Sequence, residues 1–433
     1  MRRRLLREGA NELSYEIRGI VRKAEQLVAL GYRVYWENIG DPIQKHRKLP
    51  KWMKDILSDL IYEDATFGYS HSKGLLETRE YLADKNNKRG GAQIAPIDIT
   101  FFNGLGDAIA KIYQYLMPTA RVIGPSPAYS THSSGEAAHA NDHPITYTLD
   151  PTRQWFPDMN DLRQKVKYNS NIVGILVINP DNPTGMVYPR EVLLEMVEIA
   201  REFGLFLVFD EIYCNIKYNG AESALMSDVI GEVPGISLKG ISKEIPWPGS
   251  RCGWAEYYNR DKDEEFDKLC QTIDNAKMIE VSSTTLPQRA IPRIMEDERY
   301  EQYLQENNET IGARSKHLTE VFSDIPFIEF NLTNGAFYNT IIFKKGVLNK
   351  QQSLQIEDDS LSGLIDEWME DDMALDKRFV YYLLAAKQVC VVPISAFSSD
   401  LLGFRITLLE EDEEERTEIF KRIREGVMEY CQS

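Results

Sequence analysis

The sequence predicts an α/β protein. Its larger domain holds a mostly parallel, seven-stranded sheet between helices, and a smaller α/β domain accompanies it. Three observations predict this. From about residue 98, short β-branched or aromatic runs alternate with longer helical stretches. Those runs are almost continuously apolar, the pattern of strands covered on both faces. After a long helical interval, residues 317–433 mix helix and strand signals again. With 433 residues, 43% of them hydrophobic, the chain suffices for a large core and for two or three domains. Fifty basic against 67 acidic residues give a net charge of −17, which disfavours nucleic acid as a partner. No apolar run approaches the ~18 residues of a spanning helix, so no membrane is expected.

Taken in order, the chain opens with "MRRRLLREGANELSYEIR". It lacks the apolar core and small-residue cleavage site of a secretory signal, and Glu8 and Glu12 oppose a transit peptide. It reads as an arm leading into a helix. The expected strands are Ile99–Phe102, Arg121–Ile123, Ile145–Thr148, Val173–Ile178, Leu205–Phe209, Gly235–Lys239 and Gly253–Tyr257. Between two of them, "EVLLEMVEIAREFG" repeats Leu193, Val197, Ala200 and Phe203 at helical spacing, with Gly204 placed as a C-terminal cap. Residues 262–316 read as long polar helices. Residues 357–376 carry nine acidic side chains and no basic one, which predicts a solvated excursion. "EEDEEE", residues 410–415, suits the first turn of a C-terminal helix. The five cysteines, Cys214, Cys252, Cys270, Cys390 and Cys431, are odd in number and include no C-x-x-C pair. That predicts a reducing, cytoplasmic setting and no metal site.

In sheets of this kind ligands bind at the carboxyl ends of the strands. The strand Leu205–Phe209 runs into "DEIYCN". Asp210 follows apolar residues and needs a cationic partner; alone it reads as a helix cap or half of a buried ion pair. Tyr213 faces the same way from a turn. Val173–Ile178 ends in "NPDNPTG", a rigid turn that aims the amide of Asn182. Ile99–Phe102 ends in "NGLGDAIAKIYQYL", where Gly104, Leu105 and Gly106 open a helix with free N–H groups suited to phosphate. "GPSPAYS" offers Tyr129, which either stacks on a ring or packs.

After Gly235–Lys239 comes "GISKEIPWPGSRCGW". Lys243 lies between a sheet strand and an apolar turn, where its pKa can fall far enough for Schiff-base chemistry. Arg251, eight residues on, returns through a Pro-Gly turn with a planar fork for phosphate. Lys239 is the rival lysine, but eight residues past it stands Trp247, which cannot hold a phosphate. An imine-forming lysine, an acid for a ring nitrogen, a phosphate cup and a stacking tyrosine together describe pyridoxal 5'-phosphate.

Over nearly all its length the chain resembles the class I/II aminotransferases, the fold-type I pyridoxal-phosphate enzymes. "SK" followed by "PGSRCG" resembles the family's lysine segment, "NPDNPTG" its asparagine turn, and "FDEIY" its strand end with aspartate and tyrosine. The resemblance implies that Lys243 holds the cofactor and Arg251 and Ser242 its phosphate. Asn182 and Tyr213 would meet its ring oxygen, Asp210 its ring nitrogen and Tyr129 its face. "FGYSHSKGLLETR" resembles the segment whose tyrosine, here Tyr69, reaches the phosphate of a neighbouring subunit, which implies a homodimer. "NIGDP" would put Gly40 near the substrate, and "FRITL" would place Arg405 on its α-carboxylate. The small domain would be built from both chain ends, with residues 1–60 as arm and first part, 61–316 as the large cofactor-binding domain and 317–433 as the remainder. The sequence departs from the family at Gly240, where a serine is common, at Gly106, where a hydroxyl or a lysine occurs, and in the acidic stretch.

The resemblance implies an aminotransferase that moves the amino group of an L-amino acid to a 2-oxo acid by ping-pong kinetics, with Lys243 as general base. The lack of a lysine at position 106 favours a neutral side chain. The alternatives are a lyase, decarboxylase or cyclase on the same fold, separated from transamination by whether keto acid and bound pyridoxamine phosphate appear together. A cofactor-binding regulator, from another class, would carry a DNA-binding domain before the enzyme-like part.

Overall fold

The computed structural model describes residues 5–13, 17–356 and 358–433. Its strands run, in chain order, β1 (Tyr35–Trp36), β2 (Ile99–Phe102), β3 (Arg121–Ser126), β4 (Thr146–Asp150), β5 (Phe156–Pro157), β6 (Ile172–Ile178) and β7 (Phe206–Asp210). They continue as β8 (Gly235–Gly240), β9 (Gly253–Tyr258), β10 (Ile328–Glu329), β11 (Tyr338–Phe343), β12 (Val389–Cys390), β13 (Val392–Pro393) and β14 (Gly403–Thr407).

The large sheet has eight strands in the order β2-β9-β8-β7-β6-β3-β4-β5. Strands β8, β7, β6, β3 and β4 run parallel, β9 runs antiparallel to both β2 and β8, and β5 closes the edge antiparallel to β4. The seven expected strands are all present. The eighth, β5, is only two residues long, too short to leave a periodic trace in the sequence.

Continuous apolarity has the cause expected of it. Ile175 and Val177 of β6 and Leu207 and Phe209 of β7 pack beneath the helix Arg190–Phe203, against Leu193, Met196 and Val197. Their neighbours Leu176, Ile178 and Val208 face the other way, onto Ile109 and Ile112 of the helix Leu105–Gln114 and Phe266 and Ile273 of the helix Glu264–Ile279. Each strand thus buries both its faces. Between β6 and β3 the strand order reverses, and a crevice opens at the carboxyl ends there.

A second, four-stranded antiparallel sheet, β10-β11-β14-β13, packs with the helices Leu375–Lys387 and Glu413–Gln432. Ile20, Ala24 and Leu27 of the N-terminal helix Ile17–Ala29 join that core.

Of the stretch expected as a solvated excursion, Glu357 lies outside the described residues and the rest holds a packed element instead. Helix Asp359–Trp368, capped by Asp358, buries Leu361, Ile365 and Trp368 in the same core. Trp368 Nε1 donates to Gln26 Oε1 over 2.8 Å. Asp376 is fully buried and accepts from the amides of Ser395 and Lys377. Asp359, Asp366 and Glu367 sit on the outer face of that amphipathic helix, and the apolar residues between them decide its position. In "EEDEEE", Glu413–Glu415 form the first turn of the last helix with Asp412 as its cap. Glu410 belongs elsewhere, in a buried ion pair with Lys45 at 2.9 Å.

Candidate active site

At the crevice lies a cavity of about 200 Å³. Leu105, Gly106, Tyr129, Asn182, Asp210, Tyr213, Ser242, Lys243 and Arg251 line it, drawn from five strand ends and the turns after them. Gly104, Gly40 and Arg405 adjoin it through direct contacts. Tyr69 does not reach it: its side chain points outward, 87% exposed.

Lys243 emerges from the loop after β8. Its Nζ donates to the carbonyl of Gly40 at 2.8 Å. Burial pulls the amine down to about 8; Arg405 and Arg251 push the same way, and Asp41 and Asp210 oppose them. At pH 7 a value near 8 leaves about one amine in ten unprotonated, against about one in three thousand at the ordinary 10.5, so the group is a usable nucleophile and base. Lys239 has the opposite environment. Its Nζ sits 2.7 Å from Glu256 and 3.6 Å from Glu211. Although burial works against it, those carboxylates hold its amine above the usual lysine range.

Asp210 closes β7 and is 3% exposed. Its Oδ2 lies 3.0 Å from His132 Nε2, and its Oδ1 accepts from the amide of Ile212. His132 was not legible in the sequence. It lies one turn past Tyr129 in the helix Ser130–Ala140, and that i, i+3 spacing was its only signal. Among the described residues its Nδ1 has no hydrogen-bond partner.

The turn "NPDNPTG" is built by Asp181, whose Oδ2 accepts from Thr184 N at 3.0 Å and Thr184 Oγ1 at 2.5 Å. Burial raises its carboxyl to about 7 against those two bonds. The turn presents Asn182, whose Oδ1 accepts from Arg405 Nη1 at 3.2 Å. Arg405 Nη2 donates to the carbonyl of Asn38 at 2.8 Å, and Nε has no partner among the described residues. The guanidinium lies against the rings of Tyr338 and Phe397, 4.4 and 5.1 Å from their centroids. A buried guanidinium with an unsatisfied donor between two rings is prepared for a planar anion.

Pro248–Ser250 form a single 3-10 turn that leaves Arg251 in the left-handed region at φ 47, an uncommon conformation for an arginine. Its fork overhangs the helix start: a Cβ on Gly104, itself at φ 86, would fall 2.5 Å from Arg251 Nη2. The N–H groups of the first turn of Leu105–Gln114 and the guanidinium therefore face one small space, a cradle for a phosphate. Gly240 stands where a serine is common because a Cβ there would lie 3.0 Å from the carbonyl of Cys252 and 3.1 Å from Ile212. Five further residues line the cavity that sequence reasoning did not assign to it: Ile109, Ile178, Ile212, Pro248 and Tyr338.

This donor set suits pyridoxal phosphate. It offers a depressed lysine for an aldehyde, a carboxylate for a ring nitrogen, a cradle for a phosphate and a tyrosine beside the ring space. No described helix is long and apolar enough to cross a membrane, and no cluster of described side chains could hold a metal ion.

Comparison with known proteins points the same way. The family model described as aminotransferase class I and II matches residues 38–423. An uncharacterized aminotransferase of Methanocaldococcus jannaschii is 52% identical over the full length of both chains. A glutamate-pyruvate aminotransferase of Escherichia coli is 35% identical over 249 residues, 55% of this chain and 58% of that protein. The solved alanine aminotransferase of Pyrococcus furiosus superposes with a TM-score of 0.85 at 26% identity, covering 98% of this chain and all of that one.

Proposed function

The chain belongs to the class I and II aminotransferases and is a transaminase, and we propose that it moves the amino group of L-alanine, a small neutral amino acid, to 2-oxoglutarate. The observation that carries the amino-transfer chemistry is the Lys243 amine, held at about 8 in the cavity that Asn182 lines and Arg405 adjoins.

In this reading pyridoxal phosphate occupies the cavity and supplies an electron sink that acidifies the substrate's Cα–H bond. Lys243 would hold the cofactor through Nζ, and that amine, once displaced by the substrate's amine, would take the Cα proton as general base. Asp210, itself braced by His132, keeps the ring nitrogen charged. Tyr213 and Asn182 donate to the ring oxygen. Tyr129 and Ile212 enclose the ring. Arg251, Ser242 and the amides of Gly104, Leu105 and Gly106 hold the phosphate, joined by Tyr69 of a second copy.

Arg405 grips the substrate's α-carboxylate through its fork and fixes the Cα–H bond for transfer. Gly40 closes over the substrate. One Arg405 serves both partners in turn, so the donor's oxo acid leaves before the acceptor enters, giving ping-pong kinetics. The substrates are inferred from similarity to a glutamate-pyruvate and an alanine aminotransferase and from the missing lysine at position 106. The free cysteines suit a cytoplasmic setting.

The test is a half-reaction screen. Each amino acid is mixed with the pyridoxal-phosphate-loaded protein while the cofactor's absorbance and the released oxo acid are followed. L-alanine and L-glutamate should convert the cofactor with stoichiometric pyruvate or 2-oxoglutarate, and L-aspartate should be far slower. A response confined to aspartate or to aromatic amino acids would overturn the substrate assignment.

A further inference from the structure

Tyr338 opens β11, directly after a turn at residues 336–337. Its hydroxyl lies 3.1 Å from the hydroxyl of Tyr213. Its ring carries the Arg405 guanidinium 4.4 Å from the centroid. A Cβ on Gly40 would fall 2.1 Å from its hydroxyl oxygen, so the phenol occupies the space that the glycine leaves open. The carbonyl of that same Gly40 accepts from Lys243 Nζ at 2.8 Å. One buried side chain therefore touches the tyrosine of the cofactor side, the arginine of the substrate side and the glycine beside the reacting lysine.

We propose that Tyr338 is a positioning residue, whose hydroxyl donates to the Tyr213 oxygen so that the Tyr213 proton points at the cofactor's ring oxygen, while its ring fixes the plane of Arg405. This rests on the reading of Tyr213 given above. A phenol has one proton to give. If Tyr213 spends its own on the cofactor, the 3.1 Å bond must run from Tyr338 to Tyr213.

The electrostatics favour that direction. Burial raises both phenols, but the Arg405 charge acts against the rise at Tyr338, whereas Tyr338 itself adds to the rise at Tyr213. The cation 4.4 Å from the Tyr338 ring favours that phenol as the donor of the pair. A chain of two such bonds polarises the outer one and strengthens it. The titratable and charged groups acting on the pair are Tyr129, Asp210 and Arg405.

The test uses Tyr338→Phe, Tyr213→Phe, Gly40→Ala and the double variant Gly40→Ala/Tyr338→Phe, each checked for folding by thermal melting and loaded with pyridoxal phosphate. A donor to the ring oxygen favours the proton-poor form of the bound cofactor. Losing it should therefore raise the pH midpoint of the cofactor's absorption change. The expected rise is about half a pH unit for Tyr338→Phe and more for Tyr213→Phe. Gly40→Ala should lose cofactor affinity, and the double variant should regain part of it because the clashing oxygen is gone. A midpoint that moves in Tyr213→Phe and stays fixed in Tyr338→Phe would overturn the proposal and leave the site reading standing. A midpoint fixed in both would overturn the two together. A double variant no better than Gly40→Ala would refute the steric part.

Discussion

Lys243 carries a consequence for stability as well as for chemistry. Its folded value is about 8 and its unfolded value 10.5. Between those limits the unfolded chain binds the extra proton, so raising the pH favours the folded state. Below pH 8 both states hold the proton and the burial penalty is constant. The cofactor-free protein should therefore gain up to about 1.4 kcal/mol per pH unit from this group as pH rises from 8 toward 10.5. Urea unfolding of wild type beside Lys243→Met isolates the contribution, and equal pH slopes in the two would refute it. Arg405 gives the second residue-scale prediction. Arg405→Lys keeps the charge and loses the fork, so kcat/KM should fall about 10- to 100-fold, the worth of one charge-assisted hydrogen bond, for every amino acid tested. A loss confined to acidic amino acids would make Arg405 a reader of the side chain instead. Much of this site was legible because its groups stand at strand ends with diagnostic neighbours: Lys243 before "PGSRCG", Asp210 before "EIY". His132 and Tyr338 were not, since a lone histidine in a helix and a tyrosine in a strand carry no local mark of the partner 78 or 125 residues away.

Among elements, the helix Asp359–Trp368 separates two kinds of sequence signal. Its charge density is what a solvated segment shows, yet Leu361, Ile365 and Trp368 repeat at i, i+4 and i+7, the spacing of one buried helix face. The periodicity was present and the charge outweighed it. The strands of the large sheet lacked that ambiguity, because burial on both faces leaves only apolar residues to read. The two-residue β5 had no pattern to offer. If the acidic helix is structural, Trp368→Ala should cost about 3–5 kcal/mol, the range for removing a buried large aromatic. A surface excursion would lose less than about 0.5 kcal/mol. Denaturant midpoints decide between the two, and the kcat of the folded variant should be unchanged because Trp368 packs in the C-terminal core and does not line the cavity.

For the whole molecule, the open question is what covers the segment around Tyr69. Phe67 and Tyr69 are 73% and 87% exposed, and Tyr62 stands exposed just before them. This segment abuts the loop after the helix Glu264–Ile279, for Thr285 Oγ1 donates to the carbonyl of Gly68 and Ser70 Oγ to that of Ser283. Met278, Ile279 and Val281, at the end of that helix and the start of the loop, are exposed as well. Thr284 of the loop reaches the carbonyl of Arg251, so the apolar surface borders the phosphate cradle. Exposed aromatic and aliphatic side chains clustered beside the cradle are the kind of surface that a partner covers. In the reading proposed above, a second copy related by a twofold axis would cover both surfaces at once and let each Tyr69 serve the other's cradle. We predict a homodimer by light scattering. Ile279→Glu should shift it toward monomer and release pyridoxal phosphate in parallel. Tyr69→Phe should keep the dimer and weaken cofactor retention alone, which separates assembly from the hydroxyl's contribution. A monomer that binds the cofactor as tightly as wild type would refute the shared site, because Tyr69 cannot reach the cradle of its own chain when its side chain points outward.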